Sequence, residues 1–172
     1  TNLTGSIQLI RRSLAHLRAQ GGGRIVQVSS EGGQIAYPGF SLYHASKWGI
    51  EGFVESVAQE VAPFGIDFIL AEPGPTGTNF AAALDLATPS GAYQDTPAGQ
   101  VHAMIKSGEF EIRGDAVNTV AAIIQAADAS NPPLRLALGS TAYENIHRAL
   151  TERREALEAQ RDVAFSADSQ EA

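Results

Sequence analysis

RIVQVSSEGGQIAYPGFSLYHASKWGIEGFVESVAQEVAPFGIDFILA, residues 24–71, passes through three kinds of pattern in turn. RIVQVSS is a short, mostly β-branched apolar run, which reads as a buried strand. Glu31 to Phe40 carries Gly32, Gly33 and Pro38 and reads as a loop. From about Leu42 to Ala62 the spacing becomes helical, with Ile50, Phe53, Val57 and Val61 on one stripe and Ala45, Gly49 and Gly52 keeping another face small. Pro63 to Gly65 closes that helix, and IDFILA is the next strand. Strand, loop, helix and strand in 48 residues is a crossover unit of a parallel sheet.

The flanks extend the pattern. Upstream, Leu3, Ile7, Ile10, Leu14 and Leu17 form one helical stripe that ends at Gly21-Gly22-Gly23. Downstream, EPGPTGT is a turn, and residues 79 to 113 read as irregular chain rich in Ala, Gly and Pro. Asp115 is a good N-cap for a helix carrying Val117, Val120, Ala121 and Ile124. Asn131-Pro132-Pro133 stops it, and LRLAL reads as a third strand. A charged helix then runs from Thr141 to about Arg161, with Tyr143, Ile146, Leu150 and Leu157 on one side. The expected fold is α/β: three parallel strands with flanking helices, the C-terminal half of a doubly wound, Rossmann-like sheet. Residues 1–140 would form that half, 141–161 a C-terminal helix, and 162–172 a disordered tail. Ligands of such sheets bind beyond the carboxyl ends of the strands. Here those ends are Ser29-Ser30 and Glu72-Pro73-Gly74.

Composition narrows the function. The chain has 172 residues, is 44% hydrophobic and carries a formal charge of −7. That is enough apolar material for one globular core, and the acidic balance argues against a nucleic-acid partner. No apolar run approaches a membrane span and no signal-peptide layout opens the chain, so a cytoplasmic location is expected. There is no cysteine, and His16, His44, His102 and His147 lie far apart without a metal-ligand spacing. No metal site is expected.

Tyr43 and Lys47 are four apart on the second helix and share a face. An ammonium beside a phenol favours phenolate, so the spacing predicts a tyrosine with a lowered pKa. The segment VSSEGGQIAYPGFSLYHASKWGIEGF resembles the active-site stretch of the short-chain dehydrogenases: a strand ending in Ser-Ser, a glycine-containing loop, then Tyr-x-x-x-Lys thirteen residues after the second serine. EPGPTGT resembles that family's Pro-Gly turn, with Thr78 at its closing threonine. Asn2 resembles the asparagine that completes a four-residue site.

The resemblance implies an oxidoreductase that uses NAD or NADP, moves hydride, and interconverts a small-molecule alcohol and a ketone. Tyr43 would be the general acid or base. Lys47 would tune Tyr43 and hold the nicotinamide ribose, and Ser30 would donate to the substrate oxygen. Asn2 would hold a water linking Lys47 to solvent. Pro73, Gly74, Thr76 and Thr78 would line the nicotinamide. A homodimer or homotetramer built on the first two helices is also implied.

His44, Glu72, Trp48 and Phe53 are expected to do no chemistry: His44 as a rim residue, Glu72 as an ion-pair partner, Trp48 and Phe53 as packing. The stretch from Phe80 to Phe110, with Leu84, Leu86, Tyr93, Met104, Ile105 and Phe110, would cover an apolar pocket.

The sequence departs from the family at its front. No glycine-rich turn opening a helix is present to cradle a pyrophosphate. The expectation is that a longer enzyme continues ahead of Thr1. The alternative is a non-enzymatic oligomerisation or binding module without a cofactor half.

Overall fold

The computed structural model describes residues 1–88, 90–109 and 111–168. Its elements run α1 (Thr4–Ala19), β1 (Gly23–Val28), α2 (Ser41–Val61), β2 (Ile66–Pro73), α3 (Pro97–Ser107), α4 (Ala116–Asp128), β3 (Arg135–Leu138), α5 (Ser140–Glu158) and α6 (Arg161–Ser166). The strands form one parallel sheet in the order β1-β2-β3. β1 registers Gly23 on Ile66 through Val28 on Ala71, and β2 registers Leu70 on Arg135 through Pro73 on Leu138. β2 is central, so both its faces are covered: Ile66, Phe68, Ile69, Leu70 and Ala71 are all buried. This explains why Phe68 to Ala71 is continuously apolar instead of alternating.

The core lies between the sheet and α1 and α2. Ile50, Val54, Val57 and Val61 are the buried stripe of α2, and Ile10 is the buried residue of α1, with Leu3, Ile7, Leu14 and Leu17 packed around it. Val54 is fully buried in that stripe, and Phe53 packs partly buried against the same cluster. Gly65 exits α2 with a left-handed backbone (φ 68°) and its carbonyl accepts Gly23 N–H at 3.0 Å, which starts both strands at one level. Arg24 then pairs with Asp67 across the two strands at 2.5 Å and donates to the carbonyls of Ala127 and Ala129, tying the end of α4 to the sheet.

Four features differ from the sequence reading. Residues 97–107 are a helix, α3, inside the stretch read as irregular. Thr96 caps it, Pro97 begins it and Gly108 (φ 73°) ends it. On α4, Val117, Val120 and Ile124 point outward, each more than half exposed, while Ala122, Ile123 and Ala126 are among the less exposed positions. On α5 the buried positions are Ala142 and Ile146, and Tyr143, Leu150 and Leu157 are exposed. Residues 161–166 are helical where a frayed tail was expected; residues 169–172 of that tail lie outside the described residues. Among the described residues no helix is long and apolar enough to cross a membrane.

Candidate active site

The carboxyl ends of β1 and β2 lie side by side, since Ser29 N–H donates to Ala71 O at 2.7 Å. Ser30 is extended and caps a 3₁₀ turn over Glu31–Gly33, its hydroxyl oxygen accepting from Gly32 N–H at 3.0 Å. Gly33 is packed closely against α2. A Cβ there would fall 1.8 Å from the Glu51 carboxylate of α2. His44 fastens the rest of the loop: its Nδ1–H donates to Gly32 O at 2.8 Å and its Nε2 accepts Tyr37 N–H at 3.1 Å. A ring that donates from one nitrogen and accepts at the other is neutral imidazole. His44 is therefore a buried clamp, only 5% exposed, and not the rim residue expected.

The first two turns of α2 carry Tyr43, His44 and Lys47. The Tyr43 ring stands edge-on to Phe40 (5.9 Å) and tilted against Phe80 (6.0 Å), with Lys47 Nζ 5.7 Å from its centre. Burial pushes the Tyr43 phenol above its ordinary range; the Ser30 hydroxyl pulls it down and the Glu31 carboxylate pushes it up. For the chain by itself this direction is opposite to the one expected from the Tyr-Lys spacing with a positive nicotinamide ring alongside. The geometry explains why. Lys47 Nζ sits over the ring and donates to two carbonyls at the end of β1, Ser29 O at 3.1 Å and Val28 O at 3.3 Å. Lys47 is itself lowered by burial, with Glu51 acting against the shift. Tyr37 lies next to the same group, raised by burial and by the nearness of Glu31 and Tyr43.

The second strand end is a braced turn. Gly74 N–H donates to Leu138 O at 3.0 Å, and a Cβ on Gly74 would meet Ala142 N at 3.0 Å. The glycine is thereby accounted for by the close seat of α5, without a ligand. Thr76 Oγ1 donates to Gly74 O at 2.9 Å, and Thr78 Oγ1 accepts Phe80 N–H at 3.2 Å. Gly114 brackets this turn through Pro75 and Gly77. Pro73, Gly74, Thr76 and Thr78 therefore form one edge of the same region as Ser30 and Tyr43.

Asn2 stands apart: it is in the exposed turn ahead of α1, and among the described residues no hydrogen bond joins it to Lys47. Leu3 beside it packs on Gly49, which keeps Asn2 near α2. Of the side chains expected to cover a pocket, Leu86, Tyr93 and Met104 are exposed, and Phe110 lies outside the described residues. Clefts of about 530 and 360 Å³ run instead along the flank of α2 toward Leu134 and Arg153.

Two polar groups escaped the sequence reading. The Glu31 carboxyl, 4% exposed, accepts from Asn145 of α5 at 3.2 Å, and burial raises its pKa despite that bond. Behind the strand ends, Arg135 of β3 donates through Nη1 to both Glu51 and Glu72, each at 2.6 Å, and through Nε to Glu55 at 3.0 Å. Glu51 also accepts from Ser29 Oγ at 2.5 Å, and Glu72 from Gln34 at 2.5 Å. Glu72 is the ion-pair partner it was expected to be. Burial and the neighbouring Glu51 raise it, while Gln34 and Arg135 hold it down. The one signal in the sequence was Arg135 itself, a charge inside an apolar strand.

Residues 1–88 match the model of the short chain dehydrogenases. An oxidoreductase of Botryotinia fuckeliana is 38% identical over 146 residues, covering 83% of this chain and 52% of the relative. A 3-ketodihydrosphingosine reductase of Bacteroides thetaiotaomicron is 30% identical over 140 residues, covering 81% and 52%. The crystal structure of a short-chain dehydrogenase from Streptomyces avermitilis superposes with a TM-score of 0.85 at 34% identity, covering 97% of this chain and 60% of that one. The chain spans about half the length of the curated relatives it matches.

Proposed function

Because the chain belongs to the short-chain dehydrogenase family, we propose that it carries the catalytic part of an NAD(P)-dependent oxidoreductase that interconverts an alcohol and a carbonyl compound. What supports this most is the gathering of Ser30, Tyr43 and Lys47 at the carboxyl end of β1, with the Ser30 hydroxyl bearing on the Tyr43 phenol. Relatives of comparable identity are oxidoreductases, which favours this function over a binding module.

The residues present fit the nicotinamide end of a dinucleotide. Lys47 offers N–H donors beside Tyr43, and Thr76 and Thr78 carry hydroxyls on the facing turn. A nicotinamide held there would supply or accept the hydride. The chain's own residues handle the proton and the oxygen. Ser30 Oγ already accepts from Gly32 N–H, which leaves its own hydrogen to donate to a substrate oxygen. Charge developing on that oxygen during carbonyl reduction is stabilised there. Tyr43 Oη–H is the acid that protonates the same oxygen, and in alcohol oxidation the phenolate takes the proton back. A phenol raised by burial is well suited to hold its proton until charge develops. Phe40 and Phe80 around the Tyr43 ring favour an apolar substituent on the carbonyl.

The test is turnover of a ketone and alcohol panel with NADH, NADPH and their oxidised forms, in protein that carries a complete dinucleotide site. Tyr43→Phe should retain the circular dichroism of the parent and lose about 10²–10⁴-fold in kcat. Undiminished turnover in that variant would remove Tyr43 from the assigned role.

A further inference from the structure

Lys47 is seated on Ser29, and Ser29 is gripped from two sides. Its carbonyl accepts from Lys47 Nζ at 3.1 Å, and its hydroxyl donates to Glu51 at 2.5 Å. Glu51 lies one helical turn beyond Lys47, 2% exposed, and its other oxygen is held by Arg135 at 2.6 Å. The same guanidinium nitrogen holds Glu72, which is fully buried and immediately precedes the Pro73–Gly74 turn. Among the described residues Arg135 is thus the one cation paired with carboxylates from α2 and β2 together. It stands behind both strand ends. A buried carboxylate that loses its only cationic partner is costly and will move, protonate or seek another cation.

We propose that Arg135 is a positioning residue for the Tyr43–Lys47 pair: by fixing Glu51 and Glu72 behind the strand ends, it holds the Ser29 seat of the Lys47 ammonium. The catalytic consequence rests on the function proposed above; the positioning itself does not. The charged neighbours of Lys47 are Glu51 on its own helix, with Arg135 of β3 and Glu72 of β2 behind Glu51, and the Tyr43 phenol one turn ahead. With Arg135 in place, the Glu51 charge is shared between Arg135 and Lys47. Without it, the full attraction falls on Lys47.

Lys47 and Lys106 are the only lysines, so protein labelled with ¹³Cε-lysine gives two assignable side-chain signals. Arg135→Met should move the Lys47 signal and raise its titration midpoint, leaving Lys106 in place. Glu51→Gln should lower the Lys47 midpoint. These measurements need neither substrate nor dinucleotide, so a failed dehydrogenase assay leaves them readable.

If Arg135→Met does not fold, Arg135→Met with Glu72→Met removes the pair together, a change that buried ion pairs often tolerate. The Lys47 midpoint should still rise in that protein. Where the parent turns over, the folded variant should lose up to about 10²-fold in kcat with KM little changed, as misplaced catalytic groups do. A folded Arg135 variant in which the Lys47 signal and midpoint match the parent, or kcat is unchanged, overturns the proposal.

Discussion

Glu31 directly follows Ser30, and its carboxyl is nearly closed to solvent and accepts a hydrogen bond from Asn145. Its charge raises the Tyr43 phenol, after burial and against the Ser30 hydroxyl. Glu31→Gln should therefore lower the pH at which Tyr43 ionises, measured near 295 nm as the difference between proteins with Tyr43 and with Tyr43→Phe; no shift would detach Glu31 from the site. A second effect has a definite sign. The folded-state pKa of Glu31 lies above its unfolded value because burial disfavours the charge. Its contribution to stability is present below the ordinary carboxylate pKa and is lost as pH rises through the folded value. Glu31→Gln should flatten that loss, with a smaller fall in Tm between acid and neutral pH than the parent shows. Ser30, Tyr43 and Lys47 were legible in the sequence because they lie within 18 residues, in a spacing that strand and helix geometry enforce. Glu72 was legible as an ion-pair partner, but its link through Arg135 to Glu51 was not, since that partnership spans up to 84 residues and depends on the sheet order.

Among the elements, helices announced by a cap and an apolar stripe were legible to within a few residues, and sidedness was less so. Asp115 caps α4 through Asn118 N–H at 2.8 Å, as its position suggested. Asp115→Ala should cost about 1 kcal/mol, read as a lower thermal midpoint with unchanged circular dichroism at low temperature. The Val117, Val120 and Ile124 stripe looked like a buried face, yet it is the outer one. Among the less exposed positions of α4 are Ala122, Ile123 and Ala126, round the helix from that stripe. α3 was missed for a different reason. Thr96, Pro97 and Gly108 are its start and stop signals, but no side chain along it is buried, so an apolar stripe gave little help.

For the molecule as a whole, three strands leave two open edges, and β1 presents one of them with Val28 more than half exposed. Leu9 and Leu42 are exposed at 72% and 87% on the two helices that cover one side. An open apolar edge recruits other chains. The 172 residues expressed by themselves are expected to self-associate, and light scattering that reports a monomer on concentration would refute this. They are also expected to give no saturable heat with NADPH, because the sequence has no glycine-rich turn to hold a pyrophosphate. Micromolar binding would mean that dinucleotide recognition is carried elsewhere in the chain. The link from Arg135 to Glu51 and Glu72 also bears on biosynthesis. During translation both acids emerge from the ribosome well before the cation that balances them, by 84 and 63 residues. At roughly 5–20 residues per second the first of these intervals is on the order of 4–17 seconds. Once Glu72 has followed Glu51 out, the nascent β1–α2–β2 unit has two acids whose partner, Arg135, is still missing. It can remain open, with the acids hydrated, or close with them protonated. Completion of β3 is then the event that lets the polar interior settle, and a stalled chain ending before residue 135 is a natural client for a chaperone.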